Sequence, residues 1–325
     1  MNNVQQQGLV RFAKAGTVDP KMGPSVKGGN YKIDARSIAG GQVRLSWEAN
    51  YDPDDAELTY EVLRQGVSEP LYTTTSRSTF WVRDRMAFTD RGLVGGQTYN
   101  YQVRVTDPHG NWTRSDWTPV TVSTTDVPTT SYSDSVLQTD PVHYWPLGEP
   151  SGTTAYDWAG ANDMSLTQNT VRAQPGQVIA DGESSASTRF NGFSSSGGTS
   201  TSVQGLNTFS VEAWFRTTSS SGGKIVGFGN SRTGESSSYD RHIYLDSDGQ
   251  ITFGVYPGAA RTVSSDSGYN DGSWHHVVGT LGPDGMALYV DGNRVGESAD
   301  TVSAQDYAGY WRVGGDKLSG WPDSG

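Results

Sequence analysis

Cysteine is absent from the 325 residues, which excludes disulfides and any thiolate metal centre and removes the usual marker of an oxidising compartment. Long apolar runs are also missing: no stretch approaches the roughly 18 residues that a spanning helix needs, so membrane insertion is not expected. Met1 is followed by Asn2, Asn3, Val4 and three glutamines, without the basic start and apolar centre of a secretory signal. Basic residues are outnumbered, with Lys plus Arg 24 against Asp plus Glu 35 and a net charge of -11. Nucleic-acid backbones and anionic membranes are therefore poor partners. Strong helix formers are scarce, whereas Gly 41, Tyr 16 and Trp 10 accompany many Ser and Thr. That mixture suits short strands joined by tight turns, and the expectation is an all-β chain of two or three domains.

The segment from Asp271 to Gly292 carries the strongest pattern. Trp274 to Leu281 alternates as a strand, Pro283 to Gly285 forms a turn, and Met286 to Val290 is a second strand closed by Asp291 and Gly292, so a hairpin is expected. Strand-sized segments also recur from Tyr31 to Ser123: Gln42–Trp47, Leu58–Arg64, Leu71–Thr75, Met86–Thr89, Thr98–Thr106 and Pro119–Ser123. Six or seven strands in that length make an immunoglobulin-sized sandwich. A Thr/Ser/Pro connector follows. Nine more strands are expected beyond Val136, near Val142–Leu147, Ser187–Phe190, Ser210–Thr217, Lys224–Gly229, His242–Asp246, Ile251–Tyr256, Trp274–Leu281, Ala287–Val290 and Tyr310–Val313.

Three resemblances attach to these residues. Trp47, the run Leu58 to Arg64, and Leu93 followed by Tyr99, Tyr101 and Val103 resemble a fibronectin type III domain, in which the leucine and tyrosine form the tyrosine corner. Four ordered phrases resemble bacterial laminin G-like domains of the concanavalin A-like jelly rolls: Tyr144 to Asp157, Arg189 to Gly192, Phe209 to Arg216, and the Asp271–Gly292 hairpin. Such domains end on a further strand after a Gly-X-Ile-Asp-Glu-like phrase, which is not found before Gly325. Finally, Val4 to Ala13 resembles the closing strand of a bacterial β-propeller or delta-repeat blade, with an ordinary edge strand as the alternative.

The expected organisation is an N-terminal strand and linker over 1–30, a fibronectin-like sandwich over 31–125, a linker over 126–135 and a jelly roll over 136–325. These resemblances, with the polar acidic composition, imply a piece of a larger extracellular or cell-surface bacterial protein, flanked by domains upstream and downstream. They imply a binding or adhesion module for a glycan or an extracellular protein. The alternatives are an accessory region of a polysaccharide-degrading or sugar-oxidising enzyme, and a structural stalk or phage-tail decoration.

Catalysis is not expected. Glycosidases need two flanking carboxylates, and the Glu-X-Asp-X-X-Glu strand of glycanase relatives is absent, with Glu212 standing alone. Ser264 to Gly268 lacks the Thr-Trp of a sialidase Asp box. No nucleophile elbow or phosphate loop occurs. His275 and His276 are neighbours on a strand and point to opposite faces, so they cannot share a zinc ion.

Ring stacking on sugar faces makes loop aromatics and nearby polar groups the ligand candidates: Tyr239, Arg241, Tyr256, Tyr269, Asn270 and Trp311, along with Trp321. The laminin G-like resemblance implies a structural Ca2+ tying the opening phrase to its neighbours, with Glu149, Asp157, Asn191 and Gly192 as ligands. The competing reading makes Asp157 a turn cap and Glu149 a solvated loop residue. Asp52, Asp54 and Asp55 form a second acidic cluster that ordinary turn composition explains.

Overall fold

A computed structural model describes residues 22–39, 41–124, 130–139, 141–178 and 184–322. The chain divides into two compact units, Met1–Thr124 and Thr125–Gly325, and both are built almost wholly of strands. The expected Val4–Ala13 strand lies outside the described residues.

The first unit is a two-sheet antiparallel sandwich. Strands Ile33–Ala39, Gln42–Glu48 and Arg85–Asp90 form one sheet. The other orders Tyr72–Arg77, Glu57–Arg64 and Thr98–Thr106, with the short Trp112–Arg114 and Thr118–Thr121 also paired to Thr98–Thr106. Alternation buries Leu58, Tyr60 and Val62 from one strand against Tyr101, Val103 and Val105 of the next, with Val43, Leu45 and Trp47 facing them. Each such apolar side chain contributes on the order of 1.5–3 kcal/mol on burial. Leu93 is buried, and the Tyr99 hydroxyl accepts from the Val94 amide at 3.2 Å. Thr59 pairs with Thr106, so the loop before Glu57 and the turn after Thr106 meet at one end of the sheet.

In the second unit, four strands form one sheet in the order Phe209–Phe215, His275–Gly282, Gly285–Val290 and Asn293–Ser298. The expected hairpin is its centre. Leu281 pairs with Met286 and Gly282 with Gly285, leaving Pro283 and Asp284 in the turn; Gly285 has φ +110, a conformation glycine adopts without strain. Val277 and Leu281 are buried together with Met286, Leu288 and Val290. Among the described residues Phe209–Phe215 pairs on one side only.

The larger sheet of nine strands runs from Arg261–Ser264 through Ile251–Val255, Tyr239–Leu245, Gly223–Gly229 and Ala308–Val313 to the short Gly197–Thr199, Met164–Leu166 and Thr154–Ala155. The ninth, Val203–Gln204, pairs with Ala308–Val313 off this path. A separate ribbon joins Val171–Val178 to Ser184–Arg189.

Two expectations fail. Val142–Leu147 is not a strand: a proline precedes it at 141 and another lies within it at 146, Leu147 has φ 58, and the Tyr144 amide donates to the Asp157 carboxylate instead of a ladder. The region read as linker to residue 135 ends in a helix, Ser131–Gln138, which belongs to the second unit. Thr130 caps it reciprocally with Ser133, satisfying amides that a polar segment would otherwise leave to water. Tyr132 fastens it, its hydroxyl accepting from Trp214 Nε1 at 2.9 Å.

Candidate functional site

The second unit contains a cleft of about 2030 Å3, bounded on one side by Phe209–Phe215 and the helix and on the other by the segments around Trp145, Phe190 and Trp311. Trp214 lines it with 38% of its surface exposed and stacks on His276 at 5.0 Å. Trp145 stacks on His143 at 5.1 Å, and its Nε1 donates to the Asn162 carbonyl. Asn191 and Gly192 also line the cleft. Asn191 Oδ1 accepts from the amides of Phe193, Ser194 and Ser195 and from the Ser195 hydroxyl. That tight turn projects Phe193 outward with 95% of its surface exposed.

The carboxylates lining the cleft among the described residues are Glu212 and Asp316. The Asp316 side chain is fully buried. It accepts from the Ser236 amide at 2.8 Å and the Ser236 hydroxyl at 3.0 Å, and Lys224 Nζ lies 3.5 Å away. Glu212 sits on the exposed face, 3.5 Å from His276 Nε2. The two histidines do separate: His275 bridges Asp271 and Asp291 while His276 packs on Trp214.

The expected ligand contacts divide in the structure. Trp311 lines the cleft from a strand, where it packs on Phe209 and Phe228. Arg241 also lines it, yet lies within a strand at 1% exposure. Its guanidinium is spent on Asp240 at 2.7 Å and on the carbonyls of Leu206 and Gln305, so it pins loops together. The other five lie away from the cleft. Tyr256 follows its strand at 38% exposure, with its amide on Asp240, and Tyr239 donates its hydroxyl to the Ser319 carbonyl. Tyr269 packs edge-on against His275, and Asn270 donates to the carbonyls of Ser219 and Ser247. Trp321 is buried over Gly254 and His242.

The residues expected to hold calcium are engaged by donors. Asp157 is fully buried; Oδ1 accepts from the amides of Tyr144, Ala159 and Gly160, and Oδ2 from Asn162 and from His143 Nδ1 at 2.6 Å. Burial pushes its carboxyl up, but the imidazole bond and these amides outweigh that and hold it below the usual range. Glu149 accepts the Tyr156 amide at 2.7 Å and the Arg172 guanidinium. Arg172 already supplies positive charge at Glu149, and backbone amides and His143 fill the Asp157 oxygens, which corrects the reading of Glu149 as solvated and favours the turn-cap role for Asp157.

Sequence reasoning missed Phe193 and Trp214 as exposed rings. Trp214 belongs to an alternating strand, and alternation puts it on the same exposed face as Ser210 and Glu212. The signal for Phe193 was an aromatic set inside Asn191–Ser196, a turn otherwise made of Asn, Gly and Ser.

Residues 191–324 match the family described as the concanavalin A-like lectin/glucanases superfamily. Residues 191–324 thus form a concanavalin A-like domain. No curated protein matches. Among solved structures, the chain is similar to a heptameric SAP-like pentraxin from Limulus polyphemus, at 18% identity over 38% of this chain and 58% of that one, with a TM-score of 0.30. It therefore spans little more than half of that relative. A Bacillus licheniformis beta-glucanase matches at 11% identity, over 53% of this chain and 74% of that one, with a TM-score of 0.27. Mouse laminin alpha1 domains LG4-5 match at 13% identity, over 98% and 87%, with a TM-score of 0.27.

Proposed function

We propose that the second unit is a non-catalytic carbohydrate-binding module, carried on the first unit as a fibronectin type III-like spacer in an extracellular protein. The observation that carries this reading is the cleft of about 2030 Å3 lined by the exposed Trp214 ring, with the exposed Phe193 on the turn whose Asn191 and Gly192 also line it. It exceeds the roughly 300–1,000 Å3 of a drug-sized site and suits several sugar residues. Rings offer flat apolar faces to sugar C–H groups, and the Ser and Asn side chains of the adjoining turn offer hydrogen bonds. Binding is favoured over hydrolysis because the Asp316 side chain is buried and engaged, leaving Glu212 without a free carboxylate partner in the cleft among the described residues. The spacer reading is supported by the Tyr99 hydroxyl accepting from Val94, the geometry of a tyrosine corner.

A glycan array followed by calorimetry on the best oligosaccharide tests it. Phe193→Ala and Trp214→Ala should each weaken binding about 5- to 10-fold, the worth of a stacked ring. The Phe193 variant should keep its thermal midpoint, since that side chain is exposed. Absence of binding to any glycan, or full affinity in both variants, overturns the proposal.

A further inference from the structure

We propose that the first unit holds a calcium ion between Asp52, Asp55 and Asp107, at the end of the sandwich where the Asp52–Asp55 loop meets the turn after Thr106. One carboxylate oxygen from each residue lies within 4.8 Å of one from each of the others. Asp52 is only 8% exposed and Asp107 5%. Among the described residues, Asp52 Oδ2 and Asp55 Oδ2 are buried with no hydrogen-bond partner.

The remaining oxygens explain how the group is held. Asp52 Oδ1 accepts from the Asp54 amide at 3.1 Å, and Asp54 itself turns aside to accept from the Met22 amide. Asp107 Oδ1 accepts from the amides of His109 and Asn111, and Oδ2 from Asn111 Nδ2 at 2.7 Å. These bonds fix the carboxylates without neutralising them. The nearest compensating group is His109, whose Nε2 stands 3.6 Å from Asp55 Oδ2; no Lys or Arg pairs with the three among the described residues. Buried like charges repel, and a partner is needed to hold them together.

The donor set selects the ion. Oxygen-only ligands on loops favour a hard cation, and calcium accepts irregular geometry with water completing its shell, whereas magnesium demands a near-ideal octahedron. Turn composition alone accounted for Asp52 and Asp55 in the sequence. Asp107 belongs to a separate hairpin turn, Asp107 to Asn111, which the Thr59–Thr106 register brings beside them.

The test titrates the full chain with CaCl2 by calorimetry, with thermal unfolding in calcium and in chelator. The expected result is one equivalent bound with a dissociation constant between about 10⁻⁵ and 10⁻³ M, and a midpoint several degrees higher in calcium. Asp52→Asn and Asp55→Asn should each weaken binding at least tenfold while unfolding in chelator no earlier than the parent, because each removes a repelling charge and keeps the shape. Glu149→Gln, in the other unit, should leave calcium binding unchanged. No heat and no shift up to about 10 mM calcium overturns the proposal, as does a calcium response that survives both Asp variants or is lost in Glu149→Gln. Glycans play no part in this readout, so it stands or falls apart from the carbohydrate reading.

Discussion

His242 shows what one buried side chain can impose. It has no exposed surface, neither ring nitrogen has a hydrogen-bond partner among the described residues, and the Trp321 ring lies 4.1 Å away. Burial, and then the nearby Lys224 charge, push its pKa well below 6.5. Lys224 is in turn pushed down to about 8 by burial, against the pull of Asp316. As pH falls below about 6.5 the unfolded chain takes up a proton at residue 242 that the native state refuses, so stability declines with acid. His242→Phe should flatten that decline by about one proton, or roughly 1.4 kcal/mol per pH unit, on the acid side of pH 6.5. Urea midpoints across that range would show it. Lys224 acts in the opposite window: from about 8 to 10.5 the unfolded state binds the extra proton, and its contribution to stability rises with pH.

At the scale of elements, the hairpin owes its depth in the sandwich to a missing side chain. A Cβ on Gly279 would fall 2.6 Å from the buried Phe253 ring of the facing sheet, whereas one on Gly282 meets nothing within 4 Å. Gly279→Ala should therefore lower stability by about 1–3 kcal/mol while Gly282→Ala stays near neutral, as denaturant titrations would read. This hairpin was legible in the sequence to within a residue or two, because alternation and the Pro-Asp-Gly turn agree. So were the strands from Gln42 to Thr106, for the same reason. Helix Ser131–Gln138 was not: its stability comes from the Thr130 cap and the Tyr132 contact, and its composition is that of a connector. Short pairings such as Thr154–Ala155 and Val203–Gln204 carry no period at all. The site was legible only in part. Adjacency in sequence found Asp52 and Asp55 but not Asp107, and aromatic content without topology could not separate the packed Trp321 from the exposed Phe193.

For the whole molecule, the charge of -11 and the largely uncharged lining of the cleft make separate demands on a ligand. Stacking and neutral hydrogen bonds are little affected by salt. Affinity for a neutral oligosaccharide should change less than about twofold between 0.05 and 0.5 M NaCl, and an anionic polysaccharide should bind more weakly at the lower salt; calorimetry at the two concentrations checks both. The acidity has another use along strand Phe209–Phe215, which pairs on one side only among the described residues. A bare row of amides and carbonyls is a template onto which a second chain can add, the first step toward fibrous aggregates. Glu212, half exposed in the middle of that row, places a charge where two copies would have to register against one another. A charge at that position opposes the pairing of two copies, so the residue that borders the cleft also bears on how the chain meets itself.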